Sequence, residues 1–495
     1  MAPIGNSQAS QRTLRALAGS VFAAVLLAGI PARAQLPKDF VEKAFAPNAT
    51  FAEATSITFA DDGRIFVGER GGRIKLIQGD KAVQVCSTLT TIEREQGLLK
   101  ILAHPNFAAK PWLYAYHMSK DYKRHYIVRF KFDANSAVTS LDTVVTLPDL
   151  ENIGRHNGSG MAFGKDGFLY VGRGNDELGG GNNPAANWAS VKGKILRFTE
   201  EGKPAPGNPH YATGANDGEK SIWARGFRNP WTLTADPISG RIFEGDVGDG
   251  TEELNELTAP DAGKDYWYGY GVGGGDGVGA AGGKAIDPIY FHGTGAKGEC
   301  AIVGEVPYNS AAKSNWPAEY RNRLYVADYC GLSIRSVPLD KPAAPVNVQN
   351  DGNGTLEFYP NSKKKVGLTL GPDGNLYYVE YVNAGKIYQI SYTGAAPVNT
   401  APSLAPRTFS MRMGKAGTVE FAISAVTGLG AATDARLSIM EPNGKVRFQG
   451  NADVSGGSVL AQGFHPAAAG LHICLLTWSE RGEARQAFGR LMVLP

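Results

Sequence analysis

The sequence predicts an all-β protein: a six-bladed β-propeller followed by a small C-terminal β-sandwich domain. Three observations carry that prediction. One two-strand unit recurs six times, the spacing of the copies suits four-stranded blades with two long insertions, and the texture of the chain changes after Ile390.

Each copy of the unit is an apolar segment, a turn rich in Asp and Gly, and a strand rich in aromatic and β-branched residues. It reads "ITFADDGRIFVGERGGRIKLI" from Ile57, "LAHPNFAAKPWLYAYH" from Leu102, "MAFGKDGFLYVGRG" from Met161, "LTADPISGRIFEGDVG" from Leu233, "RNRLYVADYCGLSIRSV" from Arg321 and "LTLGPDGNLYYVEYVNAGKIYQI" from Leu368. Asp-Gly or Ser-Gly between two period-2 strands marks a hairpin, because Gly takes the positive φ that the connection needs. The first strand residues after the turns, Ile65, Leu113, Leu169, Ile242, Leu324 and Leu376, lie 48, 56, 73, 82 and 52 positions apart. The two long intervals place extra residues in loops at the propeller faces, where ligands bind.

The N-terminus is read separately. Arg12 and Arg15 precede the apolar run Ala16 to Ile30, which ends in "PARAQ" with a small-x-small site cleavable after Ala34. That is the pattern of a secretory signal over residues 1–34, so the expected mature protein begins at Gln35, is periplasmic or secreted, and has no membrane span; an uncleaved anchor is the alternative. The propeller is expected over 35–392 and a Pro/Ala linker over 393–406. Short alternating strands over 407–495 suggest the sandwich, with no chemistry evident in it.

Composition excludes some partners. Lys+Arg 50 against Asp+Glu 47 gives a nearly neutral chain, which argues against nucleic-acid binding, and 63 glycines suit a loop-rich β protein. Cys86, Cys300, Cys330 and Cys474 show no CxxC or zinc spacing, and in an oxidising compartment they allow three full pairings. Cys86 and Cys474 sit in apolar strand patterns.

Several motifs invite chemistry, each beside a plainer reading. Gly269, Gly271 and Gly274 form GxGxxG but lack the flanking strand and helix of a dinucleotide site, and read as a face loop. The acidic stretch Glu244 to Leu257 offers hard oxygen ligands for calcium, or simply solvated turns. Lys363, Lys364 and Lys365 read as solvated, or as a seat for a polycarboxylate. "ARGFRNPW" sets the donors of Arg228 and Asn229 near a loop apex, or caps turn carbonyls. His156, flanked by Arg155, Asn157 and Gly158, is open to approach and suits a general base near neutral pH; a turn histidine is the alternative.

Together "EQGLLKILAHPNF", "RHNGSGMAFGKDGFLYVGRG", "GFRNPW", "GDVGDGTEELNEL" and "DYCGLSIRSV", in that order between Phe40 and Tyr392, resemble the soluble pyrroloquinoline quinone (PQQ) dependent sugar dehydrogenases of the glucose/sorbosone type. The resemblance implies a propeller holding PQQ and Ca²⁺ on one face and oxidising an aldose at its anomeric carbon, with an electron acceptor that it does not name. It puts the general base on His156, Arg228 and Asn229 beside the quinone carbonyls, and Glu95 near the base and the sugar. Calcium-binding main-chain carbonyls fall on Val247 and Gly248, and Cys330 pairs with Cys300, which leaves Cys86 and Cys474 free and buried.

Three departures set this chain apart within the resemblance. The carboxylate that orients the base aligns with Asn175, so the orienting partner is neutral unless Asp176 substitutes. Paired arginines for the PQQ carboxylates fall near Lys364 and Val366, keeping part of the charge and losing the bidentate fork. A PQQ-binding lysine falls at Cys330 or Gly331. Similar propellers also serve as non-catalytic carbohydrate- or protein-binding modules and as calcium-dependent lactonases, and these remain the alternatives.

Overall fold

The structure is a computed structural model that describes residues 35–394 apart from short stretches, the longest being 151–153, 179–182, 258–261, 267–285, 310–313 and 348–354, together with strands between 408 and 493. The signal segment 1–34, the GxGxxG glycines and most of the linker lie outside the described residues.

Six sheets of four or five strands form the propeller; five of the expected copies supply the first two strands of their blades, while the copy from Arg321 supplies the second and third strands of its blade. Blade I is Ala54–Phe59, Ile65–Glu69, Arg73–Gln78 and Lys81–Ser87; blade II is Leu98–Ala103, Trp112–Met118, His125–Phe132 and Val138–Thr146. Blade III is Gly158–Phe163, Leu169–Arg173, Lys194–Phe198 and Ile222–Arg225. Blade IV is Pro230–Ala235, Ile242–Asp246, Thr251–Leu257 and Tyr290–Gly293, with Val346–Asn347 added in parallel at its edge. Blade V is Ile302–Tyr308, Arg323–Asp328, Ile334–Pro338 and Leu356–Tyr359.

Blade VI draws on both ends of the propeller. Thr369–Leu370, Leu376–Val379 and Ile387–Tyr392 are completed by Phe40–Phe45, which pairs antiparallel with Ile387–Tyr392 from Phe40 opposite Tyr392 to Phe45 opposite Ile387. This closure removes two open sheet edges at once. It was not expected from the hairpin repeats, because the closing strand stands more than 300 residues from its partner.

Apolar clusters lie between adjacent blades and complete a ring. Phe66 and Ile74 of blade I meet Leu98, Leu113 and Phe130 of blade II, and around the circle Val379 and Ile387 of blade VI meet Ile57 and Val67 of blade I. Phe66 is fully buried. Truncating such a side chain to alanine costs about 3–5 kcal/mol.

The C-terminal strands form two sheets, five-stranded and four-stranded, which is the all-β content expected for that region. Cys474 lies on the strand Gly470–Glu480.

The Cys300–Cys330 disulfide is present, with a Cα–Cα separation of 5.5 Å. Cys86 is free but half-buried rather than buried, since its strand is the exposed outer edge of blade I.

Two charged segments differ from a solvated reading. Glu244, Asp246, Glu252, Glu253 and Glu256 are buried on the two middle strands of blade IV, because neighbouring groups bind them: Arg241 grips Glu256 at 2.7 and 2.8 Å, and Glu252 accepts the Ile302 N–H. Lys365 is fully buried against Ser362 Oγ at 2.5 Å, while Lys363 and Lys364 are exposed.

Candidate active site

A cavity of about 220 Å³ opens where the innermost strands begin, lined by strand residues of four blades and by the loops around them. Its floor comes from a repeated irregularity. In blades I, II, IV and V the ladder between the first two strands slips by one residue near the start of the inner strand, and the extra residues are Thr55, Leu99, Trp231 and Val303. All four line the cavity. A bulge bends its strand and re-aims one side chain, and here four bulges turn side chains toward one opening.

Blade III slips at the same level, between Gly158 and Met161, where the His156 loop enters. Gly158 takes φ +72°, and a Cβ there would stand 2.4 Å from the Gly172 carbonyl oxygen, so this approach of loop to strand requires glycine. His156 itself is held at φ 50°. A non-glycine residue in that region carries strain that its surroundings must hold in place.

The surroundings do so through three hydrogen bonds. The His156 backbone N–H donates to Glu95 Oε2 at 2.8 Å, Nδ1 lies 2.9 Å from Asn175 Oδ1, and the following turn is tied by Gly158 N–H donating to Asn229 Oδ1 at 2.9 Å. Asn175 is itself oriented. Its Oδ1 also accepts the Glu177 N–H at 3.0 Å, and its Nδ2 donates to the Leu178 carbonyl at 3.0 Å. With both ends of the amide assigned by backbone groups, Oδ1 faces the imidazole, so Nδ1 carries the proton and Nε2 keeps its lone pair.

Asp176 is committed elsewhere: its carboxylate pairs with Arg173 at 2.5 Å and Lys192 at 3.1 Å, in the interior. The neutral amide, not Asp176, therefore sets the ring.

Burial and then the Arg228 cation push the His156 pKa down to about 4, with Asn175 acting in the opposite sense. The imidazole is neutral at pH 7 and able to accept a proton. Burial raises the Glu95 carboxyl above its ordinary value, against the hydrogen bond from His156 and the charges of Arg228 and Arg155.

Asp246 organises the adjacent loop, its two oxygens accepting the N–H groups of Arg228 at 2.8 Å and Asn229 at 2.5 Å. Arg228 in turn donates from Nη1 to the Val247 carbonyl at 2.7 Å.

Among the residues expected from sequence, Glu95, Asn229 and Val247 line the cavity. His156 stands one hydrogen bond behind Glu95 and is 6% exposed, a more enclosed position than its small neighbours suggest. Asn175 lies behind His156, and Arg228 adjoins the cavity through Val247. Lys364 reaches the rim, its ammonium 4.5 Å from the ring centre of the cavity-lining Tyr329, and Val366 contributes apolar wall. Arg70, Arg94, Trp231, Tyr329 and Tyr381 also line the cavity and escaped sequence reasoning, because only their meeting in space marks them.

A mainly apolar cavity with aromatic walls and cations at its rim suits a planar, multiply anionic ligand such as PQQ. Calcium fits less well. The protein offers the carbonyls of Val247 and Gly248, the first already accepts a guanidinium, and no cluster of three or more His, Cys, Asp or Glu is present among the described residues. Calcium takes six to eight oxygens, so these groups alone do not complete its shell.

Comparisons with known proteins agree with the resemblance read in the sequence. Residues 51–282 match the family described as Glucose / Sorbosone dehydrogenase. The chain is similar to the aldose sugar dehydrogenase YliI of Escherichia coli (strain K12), 24% identical over 349 residues that cover 67% of this chain and 87% of the relative. Among solved structures, an oxidoreductase (glucose dehydrogenase) from Thermus thermophilus aligns with a TM-score of 0.57 at 25% identity, over 71% of this chain and 99% of that one. The PQQ-bound aldose sugar dehydrogenase of Streptomyces coelicolor shares the fold, with a TM-score of 0.56 at 23% identity over 72% of this chain and 99% of that one.

Proposed function

We propose that this chain, similar over residues 51–282 to the glucose/sorbosone dehydrogenases, oxidises an aldose or related sugar at its anomeric carbon with PQQ as cofactor. The observation that carries this reading is the Glu95–His156–Asn175 arrangement: a neutral imidazole with its proton fixed on Nδ1, one hydrogen bond behind the wall of a cavity suited to a planar anion.

PQQ, when bound, supplies the acceptor for the hydride leaving C1. The protein supplies the rest. His156 Nε2 accepts the proton of the anomeric hydroxyl as the carbonyl of the lactone product forms, so one proton and one hydride leave the sugar. Asn175 Oδ1 stabilises the resulting imidazolium only as a dipole, which makes the base weaker than one paired with a carboxylate. Arg228 brings a fixed cation to the side of the cavity where negative charge develops, and Asn229 holds the His156 loop through Gly158. Lys364 and Arg94 give the rim the positive charge that a carboxylated ligand meets on entry. Calcium at Val247 and Gly248 rests on the family resemblance and carries no step here.

The Cys300–Cys330 disulfide supports export to an oxidising compartment, in keeping with a signal over 1–34 and a periplasmic or secreted protein. Division of the mature chain into a propeller over 35–392, a linker over 393–406 and a second domain over 407–495 is part of the same proposal.

The deciding experiment titrates metal-free protein with PQQ, with and without Ca²⁺, and follows aldose-dependent dye reduction. Reduction that requires PQQ supports the reading. PQQ binding without reduction, across a panel of aldoses, would leave a non-catalytic binding propeller, and lactone hydrolysis without PQQ would indicate a lactonase.

A further inference from the structure

Glu95 occupies a loop whose one internal turn, Gln96 N–H to Glu93 O at 2.7 Å, is reinforced from outside. Its neighbours Arg94 and Gln96 present their carbonyls to a single side chain from blade I, Arg70, whose Nε donates to Gln96 O at 2.9 Å and whose Nη2 donates to Arg94 O. One guanidinium thus binds the carbonyl on either side of Glu95. The backbone of Arg70 fixes the same loop a second time, its carbonyl accepting the Leu98 N–H at 2.8 Å. Gly97 completes the clasp: at φ +131° a Cβ would lie 2.5 Å from Arg70 O and 2.7 Å from Arg70 Cγ, so the loop lies directly on the arginine stem.

Arg70 is in turn anchored on its far side. Its N–H donates to the Glu53 carbonyl at 3.0 Å, and Nη1 stands 3.6 Å from the Glu53 carboxylate.

From this clasp the connection runs to the base in two bonds. The Glu95 N–H donates to Gly154 O at 3.0 Å, and the Glu95 carboxylate accepts the His156 N–H at 2.8 Å. Both ends of Glu95 therefore hold the strained His156 loop, and Arg70 holds Glu95. The charges that act on the Glu95 carboxyl are those of Arg228, Arg155 and Glu177, and those acting on the imidazole are Arg228, Glu177 and Arg155. Arg70 is not among the charges that act most strongly on either group, whereas its hydrogen bonds hold the loop directly.

We propose that Arg70 is the positioning residue of the Glu95–His156 pair, placing the Glu95 carboxylate under the His156 amide and thereby fixing the imidazole behind the cavity wall. The kinetic part of this inference rests on the sugar-oxidation reading above; the geometric part does not. Arginine suits the task because its planar fork reaches two carbonyls at once, which lysine's single ammonium does not.

The test uses the full chain without cofactor and reads hydrogen exchange at the His156 amide. Loss of one hydrogen bond of this kind corresponds to roughly tenfold faster exchange. Arg70→Met should accelerate the His156 amide by about that factor, as should Glu95→Ala, and the double variant should exchange no faster than Glu95→Ala alone. Arg70→Lys, which keeps the stem and one donor, should fall between. In turnover with PQQ, Arg70→Met should cost about 10²-fold in the wild-type background, the scale of a misplaced catalytic group, and little in the Glu95→Ala background. Unchanged exchange at His156 in folded Arg70→Met, equal acceleration across the amides of blade I, or additive effects in the double variant would each overturn the proposal. A wild-type protein that does not oxidise sugars would refute the function instead, and the exchange measurement would still decide the role of Arg70.

Discussion

The side chain of Asn175 and the imidazole of His156 are joined by a 2.9 Å hydrogen bond whose direction is dictated from outside the pair: Glu177 N–H and Leu178 O fix the two ends of the amide. A carboxylate there would give the ring a charged partner. Replacing the amide nitrogen would also set an oxygen against the Leu178 carbonyl at about the present 3.0 Å separation.

Asn175→Asp should therefore separate activity from stability. The added negative charge stabilises the imidazolium, so the His156 pKa rises from about 4 toward its ordinary 6.5. The base must be neutral to act, so the acid limb of the kcat/KM profile moves to higher pH. The variant should be slower than wild type near pH 5 and modestly faster near pH 8. The lost donor to Leu178 should lower stability by about 1–2 kcal/mol. A pH–rate profile and a thermal melt check both parts, and an unmoved acid limb would remove His156 from the titrating role.

His156→Ala should leave PQQ binding nearly intact and reduce turnover by roughly 10² to 10⁴. Arg228→Ala should weaken both binding and turnover, since its cation faces the cofactor side in ground state and transition state alike. Binding titrations beside single-turnover reduction distinguish the two patterns. Unchanged turnover per folded His156→Ala molecule would assign the histidine to the turn alone.

Glu305, fully buried on the inner strand of blade V, has its carboxyl pushed up to about 7 by burial, against the hydroxyl of Thr232, the charge of Lys100 and the hydroxyl of Thr234. Burial, and then Asp246, push the Glu244 carboxyl well above its ordinary value, and Glu305 adds to that shift as a like charge. Since the folded pKa exceeds the ordinary 4.5, the folded state binds the extra proton between these values. Stability from this group is complete below pH 4.5 and is lost as pH rises through about 7, by an amount on the order of 3 kcal/mol. Glu305→Gln should flatten that stretch of the stability curve in denaturant titrations at pH 5 and pH 8; an equal slope in both proteins would refute it.

Opening the Cys300–Cys330 link by Cys330→Ser should destabilise the propeller by about 3–4 kcal/mol on the chain-entropy view, given the sequence separation of 30. The effect should reach the cavity, because Tyr329 and Ala301 lie beside the two cysteines and line it. A weaker PQQ affinity in the folded variant is expected, and an unchanged melting temperature would contradict the account.

A chain ended at Ala401 should keep PQQ-dependent activity, because every residue assigned to the site precedes that point. Loss of activity from a folded truncation would give the C-terminal region a part in the site.

Four of the six hairpins were legible because their signals are local: an Asp-Gly or Ser-Gly turn between period-2 strands fixes the pair within about twenty residues, and the copies from Leu102 and Arg321 followed from strand content alone. Ile65, Leu169, Ile242 and Leu376 do open second strands, and Leu113 and Leu324 stand one residue inside theirs. His156, Glu95, Arg228 and Asn229 were named from short motifs and the family resemblance they carry, and the ring brings them together around one cavity. Other features depend on distance through the chain. That Phe40–Phe45 closes blade VI, that bulges at Thr55, Leu99, Trp231 and Val303 converge on one opening, and that Arg70 clasps the loop of Glu95 are decided only by closure of the ring. The same closure buries the acidic strand residues of blade IV and encloses His156, which flanking residue types alone marked as exposed. Local pattern sets a strand and its turn, whereas register, burial and the direction of a side chain are settled by packing between blades whose residues are far apart in sequence.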